Sequence, residues 1–564
     1  MPARILISAV LMFIIFCPSS WSQTLLENKE RLGELETPDQ AYHPVRSGQS
    51  RTPAYSSGSG GWFFTQVNVD SNGMNIVGDA ANEPSIAVDV NDPTRIAIGW
   101  RQFDTITNNF RQAGNGWTSD GGVTWNYNDV IQRGLFRSDP VLDSDINGIF
   151  YYNSLSGDFT CQVFKSTDGG DTWIDEVDAL GGDKQWMDID KSDGPGEGHI
   201  YAYWTQNFSV CSPGFFTRSA NRGASFEACT EIDGEPFWGT LATGPESELY
   251  TAGVGFTDFV VTKSTTVSDS SVVAAWDTSV VVSLDGSIEA FGSGSPNPSG
   301  LLGQTWIAVD HSEGDTRGNV YLLCSVSRFS NSDPLDVMFA RSTDGGLTWS
   351  DPVRVNDDST TTAWQWFGTM SVAPDGRIDV MWLDTRDNPG TVLSSLYYSY
   401  STDAGDTWAA NQRLSDDFDP HVGWPNQNKM GDYFDMVSTT QGAHLAWAGT
   451  FNGEQDVYYG FMPAPVTGVD TPQAGIPSAF ELEQNYPNPF NPTTEIGFSV
   501  PQGGFVHLTI FDQLGQEVAT LVNGELAAGR HVRTWNAAGM TSGVYYYRLE
   551  AGGLLETRKL MLLR

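Results

Sequence analysis

Positive charge is what this sequence has least of. Its 564 residues include 30 Lys and Arg against 69 Asp and Glu, a formal net charge of -39. A surface this acidic repels phosphate backbones and excludes nucleic acid as a partner. Histidine is also scarce, and the seven present show no metal-ligand spacing. No Gly-rich phosphate loop and no Ser-His-Asp pattern occurs, so no cofactor is expected. Long apolar runs are missing as well. The one candidate, Ile5 to Phe16, is too short to cross a bilayer as a helix, so no transmembrane segment is expected.

That run follows Arg4 and precedes Cys17-Pro-Ser-Ser-Trp-Ser22, the layout of a secretory signal peptide over residues 1–22. Phe16 is too large to precede a lipid-attached Cys17, which favours simple cleavage near Ser22. Cys161, Cys211, Cys229 and Cys324 then remain, and four cysteines in an oxidising compartment allow three pairings. Cys211 and Cys229 flank one expected hairpin and form the favoured pair; four free, buried thiols are the other reading.

Glycine, by contrast, is abundant at 60 residues, and aromatics reach 12%. With Thr and Ser, they favour many short strands joined by tight turns. Residues 23–61 read as a flexible leader, with Gly and Ser dense at 56–61. Residues 463–477 read as a linker. Between them, over 62–462, the chain repeats. Thr118-Ser-Asp-Gly-Gly-Val-Thr-Trp125, Ser166-Thr-Asp-Gly-Gly-Asp-Thr-Trp173, Ser342-Thr-Asp-Gly-Gly-Leu-Thr-Trp349 and Ser401-Thr-Asp-Ala-Gly-Asp-Thr-Trp408 are near copies, and Ser219 to Phe226 is a weaker one. Asp120, Asp168, Asp344 and Asp403 are expected to accept backbone N–H groups within a turn, and each Trp to be buried between sheets. These motifs resemble the Asp-box (BNR repeat) of the sialidase-like β-propellers.

Strands recur around each box. Ser85-Ile-Ala-Val-Asp89, Gln185-Trp-Met-Asp-Ile-Asp190 and Thr305-Trp-Ile-Ala-Val-Asp310 are equivalent inner strands. Seven units begin near residues 84, 139, 184, 236, 304, 366 and 432. The expectation is an all-β chain with a seven-bladed propeller, six blades being the alternative. The last unit lacks a fourth strand, which residues 64–69 would supply.

From residue 478 to 564 the chain alternates apolar and polar positions around Gly turns, as in an immunoglobulin-like β-sandwich. Gln484-Asn-Tyr-Pro-Asn-Pro-Phe-Asn-Pro492, Ser542-Gly-Val-Tyr-Tyr-Tyr-Arg548 and the basic end Arg558 to Arg564 resemble the type A sorting domain of the type IX secretion system. That resemblance implies the type IX machinery as a partner and an extracellular or outer-surface location.

The polar residues entering inner strands or leaving second strands should share the face opposite the boxes. A ligand mouth there would draw on Glu83, Arg101, Arg137, Arg328, Arg386 and Asp432. By comparison with sialidases, Asp104 matches the acid/base Asp, Glu235 the middle Glu and Tyr433 the nucleophilic Tyr. The arginines that clamp a sialic acid carboxylate do not match: Glu83 stands where the first belongs, and Thr251 to Gly255 where another does. Two functions remain open: a propeller binding an extracellular glycan or protein, and a glycoside hydrolase not acting on sialic acid. Asp143 to Gly148 has the oxygen spacing of a Ca²⁺ loop, but Ser154 replaces its closing Glu, and an Asn147-Gly148 turn explains it better.

Overall fold

The computed structural model describes residues 38–44, 49–59, 61–127, 129–289, 292, 294–465 and 481–563, apart from 483, 486, 501–503, 527–528 and 552–553. The signal peptide, the start of the leader and most of the linker lie outside these residues. The described chain is all-β but for one 3-10 turn, Gln206–Phe208. It divides into two compact units, Met1–Ala464 and Pro465–Arg564.

The first unit consists mainly of seven antiparallel sheets in chain order. Their innermost strands are Ala80–Val88, Ser138–Ser144, Trp186–Ile189, Leu241–Thr243, Trp306–Val309, Gln365–Val372 and Asp435–Thr439. Each packs against the innermost strand of the next sheet, and Asp435–Thr439 packs against Ala80–Val88. The ring is therefore closed. Closure lies in the seventh sheet, where Trp62–Gln66 pairs with Asp456–Pro463 (Phe63 opposite Phe461, Gln66 opposite Tyr458). Ser56–Ser59 adds a further strand outside it, and Arg51–Pro53 pairs with Met74–Ile76. Residues 51–59 are thus strand-forming where Gly and Ser suggested a flexible leader. Upstream, Asp39 bonds Arg111 at 2.8 Å, and the Gln40 N–H bonds Asn109 Oδ1 at 2.8 Å.

Successive innermost strands are too far apart to share a ladder, so side chains satisfy the inward backbone donors. Ser85 Oγ accepts from Leu142 N–H (2.9 Å), Asp143 from Ile189 N–H (3.0 Å) and Asp188 from Thr243 N–H (2.8 Å). Thr240 accepts from Ile307 N–H (3.0 Å), Ser371 from Ser438 N–H (2.9 Å) and Asp435 from Ile86 N–H (3.0 Å).

In the first sheet Val88 pairs with Ile96 and Ile96 with Thr118, so strand ends and box turn share one face of the ring. The four turns have the same construction. Each Asp accepts the Ser or Thr hydroxyl two residues earlier (2.7–2.8 Å) and the Thr N–H four residues later (2.9–3.0 Å). These bonds hold the Asp168 and Asp344 carboxyls below their ordinary range, for Asp344 to about 2, although burial pulls Asp168 the other way. The second Gly sits against the preceding sheet: a Cβ on Gly170 would lie 2.9 Å from Trp117, and one on Gly122 would enter the Tyr459 ring.

Of the four box tryptophans only Trp125 is buried; Trp173, Trp349 and Trp408 are half-buried. Their contacts with the preceding sheet are partial: Trp173 Nε1 donates to Asn115 at 3.2 Å, and Trp408 meets Phe339 edge-on at 5.2 Å. Cys211 and Cys229 form a disulfide, while Cys161 and Cys324 are free and buried.

The second unit has two antiparallel sheets. One contains Glu481–Leu482, Thr493–Val500 and Gly529–Asn536; the other contains Glu517–Leu526, Gly504–Phe511, Gly543–Ala551 and Leu554–Leu562. They enclose a separate core with Phe498, Leu508, Trp535, Tyr547 and Leu560. The Asn-rich motif is stitched to it: Asn485 N–H bonds the Tyr547 hydroxyl at 2.8 Å, and Phe490 N–H the Met561 carbonyl at 2.9 Å.

Candidate functional site

On the face opposite the box turns the ring centre is filled with paired charge. The register of the first two sheets slips at bulges between Asn82 and Ser85 and between Ser138 and Val141. Glu83 and Asp139 occupy those bulges with φ of 49° and 46°, which turns their side chains out of the strand alternation. Glu83 and Arg101 are fully buried, with Arg101 Nε 3.0 Å from Glu83 Oε2. Lys184 Nζ lies 2.7 Å from Asp432 and 3.6 Å from Asp139, and Lys429 Nζ lies 3.0 Å from Asp432.

Burial raises the Glu83 carboxyl to about 8 against the pull of Arg101. Burial acts the same way on Asp432, yet Lys184 and Lys429 outweigh it and hold that carboxyl well below its usual value. The segment at 297–301 fastens down the loop bearing Asp432: Leu301 N–H donates to Asp432 (2.8 Å), and Asn297 to the Gly431 carbonyl (2.8 Å).

The structure thus brings Glu83, Arg101 and Asp432 together, as partners of one another or of lysines. The other expected ligand-binding residues are dispersed. Arg137 pairs with Glu176 at 2.9 Å and stacks on Phe164. Arg328 pairs with Asp285 and Asp336 at 2.6 and 2.9 Å. Arg386 pairs with Asp384 and Asp357 at 2.8 and 2.7 Å and stacks on Tyr397.

The three residues matched to catalytic roles have separate surroundings. Asp104 pairs with Arg133 at 2.9 Å and accepts from Gln112 at 3.0 Å. Glu235 is exposed, with φ 46°. Tyr433 is buried and donates to the Pro140 carbonyl at 2.8 Å, and burial raises its hydroxyl well above the ordinary phenol value.

A central open space lies on the box-turn face. A chamber of about 500 Å³ is lined by strands or strand ends from all seven sheets. Its walls include Ile86, Trp186, Leu241, Trp306, Met370 and Met436; its polar groups include Asp143, Asp188, Lys191, His311, Ser438 and Asp435. Trp306 meets Trp186 edge-on (centroids 5.0 Å apart), and Tyr433 meets the same ring at 5.2 Å, so three aromatics separate chamber from charge cluster.

Lys191 Nζ is 2.7 Å from both Asp143 oxygens. Burial raises the Asp188 carboxyl to about 6 and lowers the His311 imidazole. The chamber had no local signature in the sequence, since seven distant segments build it. Among the described residues no cluster of three or more His, Cys, Asp or Glu could hold a metal ion. At Asp143 to Gly148 the chain makes a turn, with Gly148 N–H bonding the Asp145 carbonyl, and Asp143 is engaged by Lys191.

Residues 484–563 match the family described as a secretion system C-terminal sorting domain. The second unit is therefore a type IX sorting tail, which directs the chain to the cell surface or the extracellular space through the type IX machinery. No helix among the described residues is long and apolar enough to cross a membrane. No curated protein matches the chain.

Solved structures to which it is similar include a protein of unknown function from Dyadobacter fermentans DSM 18053, at 12% identity over 69% of this chain and 98% of that one, TM-score 0.39. Another is an ulvan lyase of a new polysaccharide lyase family, at 10% identity over 67% and 93%, TM-score 0.38. A third is an α-L-arabinanase of Penicillium chrysogenum complexed with arabinobiose, at 15% identity over 63% and 93%, TM-score 0.32.

Proposed function

We propose that the first unit is a seven-bladed β-propeller and the tail an immunoglobulin-like sandwich, in a protein that binds an extracellular glycan or protein after export. In this reading residues 1–22 are the signal peptide. Binding is preferred over hydrolysis for one reason above all: several of the groups expected to form a reactive mouth already face opposite charges or backbone within the protein. Arg101 holds Glu83, Lys184 and Lys429 hold Asp432, and the Tyr433 hydroxyl holds a backbone carbonyl. A hydrolase needs an acid and a partner carboxylate or Tyr flanking one bond, and Asp104, Glu235 and Tyr433 occupy three different settings.

The experiment is a glycan array and a protein pull-down with the purified exported chain, alongside an assay for newly formed reducing ends. Retention of a ligand without cleavage is the expected result. Release of reducing ends that is lost in Asp104→Ala or Glu235→Ala would instead establish the glycoside hydrolase.

A further inference from the structure

The chamber on the box-turn face carries hydrogen-bonding groups that the protein does not use. Among the described residues neither the Trp186 nor the Trp306 indole N–H has an acceptor, and both rings line the chamber. Neither N–H is sealed off by protein, so each is open to an acceptor on water or a ligand in the chamber.

Size and walls narrow the choice of ligand. A volume of about 500 Å³ lies within the roughly 300–1,000 Å³ usual for small-ligand sites. Val90, at the rim, is 50% exposed, so the chamber communicates with solvent. The walls are mainly aromatic and aliphatic, a match for the C–H faces of a sugar ring.

Charge narrows it further. Asp143 and Asp188, in a chain of net charge -39, oppose an anion. Lys191 and the unmatched indole N–H donors oppose a cation, and Lys191 is itself neutralised by Asp143. What suits the remaining groups is an uncharged molecule rich in hydroxyl and ether oxygens.

We propose that this chamber binds the end of a neutral oligosaccharide or polysaccharide. The inference rests on the binding reading above and gives it a place and a ligand class. That place is the face opposite the one where the sialidase-like motifs pointed.

The test is calorimetric titration of the full exported chain with cello-, manno- and xylo-oligosaccharides as neutral probes. Oligogalacturonate serves as the anionic probe and chitosan oligosaccharide as the cationic one. A neutral probe should bind, and Ala308→Phe, which fills the chamber, should weaken it at least about tenfold. Should Ala308→Phe not fold, Trp306→Phe keeps an aromatic ring, removes the N–H and the rest of the indole, and should weaken binding by about threefold or more. Melting curves of each variant separate lost affinity from lost structure.

Neutral binding untouched by both variants overturns the chamber as the site while leaving the binding reading standing. Preference for oligogalacturonate or chitosan overturns the ligand class. Capture of a protein partner with no oligosaccharide bound overturns the inference but not the binding reading. Shortened oligosaccharides after incubation overturn the binding reading itself.

Discussion

The carboxylate of Asp435 in the seventh sheet accepts the hydroxyl of Ser85 in the first sheet at 2.6 Å, and with the same oxygen the Ile86 N–H at 3.0 Å. These bonds join the two ends of the ring across some 350 residues of chain. Removing one partner so that a buried donor is left unmatched costs about 1–3 kcal/mol each. Asp435→Ala should therefore lower the stability of the first unit by at least about 2 kcal/mol. A double-mutant cycle with Ser85→Ala in chemical denaturation should show strong coupling; additive losses would count against the account.

The same pair predicts a pH dependence. Burial raises the Asp435 carboxyl to about 7, above the roughly 4 of an unfolded Asp. A raised folded value means its stabilising contribution is complete below about pH 4 and is lost as pH rises through about 7. Asp435→Asn cannot titrate. The stability of the parent relative to Asp435→Asn should fall between pH 5 and pH 8 in paired melting curves, and a constant difference would show that Asp435 does not titrate in this window.

The box turns predict an asymmetry between adjacent glycines. Gly121 and Gly122 both have positive φ, 75° and 88°. A Cβ on Gly121 meets nothing within 4 Å, while one on Gly122 runs into Tyr459 of the preceding sheet. Gly121→Ala should cost only its backbone strain, about 1–2 kcal/mol. Gly122→Ala should add an overpacking cost of about 1–3 kcal/mol. Equal melting temperatures for the two variants would contradict the seating of the turn.

The box turns were legible in the sequence because their bonds are local, linking residues two and four apart. The innermost strands were legible too: Ser85 to Asp89, Gln185 to Asp190 and Thr305 to Asp310 overlap Ala80–Val88, Trp186–Ile189 and Trp306–Val309. Charge pairing was not legible. Glu83, Arg101 and Asp432 read as members of one ligand mouth, but Arg101 reaches Glu83 from the next strand, and Lys184 reaches Asp432 from four sheets away in the chain. Strands at 51–59 were hidden by a Gly- and Ser-rich composition, since their partners lie at 62–66 and 74–76.

No sialoside turnover is expected. A sialic acid carboxylate needs converging free cations, but Arg101, Arg328 and Arg386 each already hold carboxylates. A fluorogenic sialoside assay with an Asp104→Ala control decides this: turnover by the parent that disappears in the variant would establish a sialidase instead.

The two units have separate cores, and the sorting family covers 484–563. Deleting residues 478–564 should leave the first unit folded, with an unchanged melting transition, but held in the periplasm. Fractionation and blotting of cells and medium would check this; normal appearance of the truncated chain in the medium would refute it.

The central claim is that the charge cluster is an internal plug and the chamber on the box-turn face is the working site. The most direct measurement compares two variants in the same titration with neutral oligosaccharides. Glu83→Gln with Arg101→Met removes one charge pair of the plug at nearly constant volume, a change that buried ion pairs often tolerate, whereas Ala308→Phe fills the chamber. The account predicts affinity within about twofold of the parent for the first and a loss of at least about tenfold for the second. Binding abolished by the plug variant and preserved in Ala308→Phe, with both proteins folded, would contradict it.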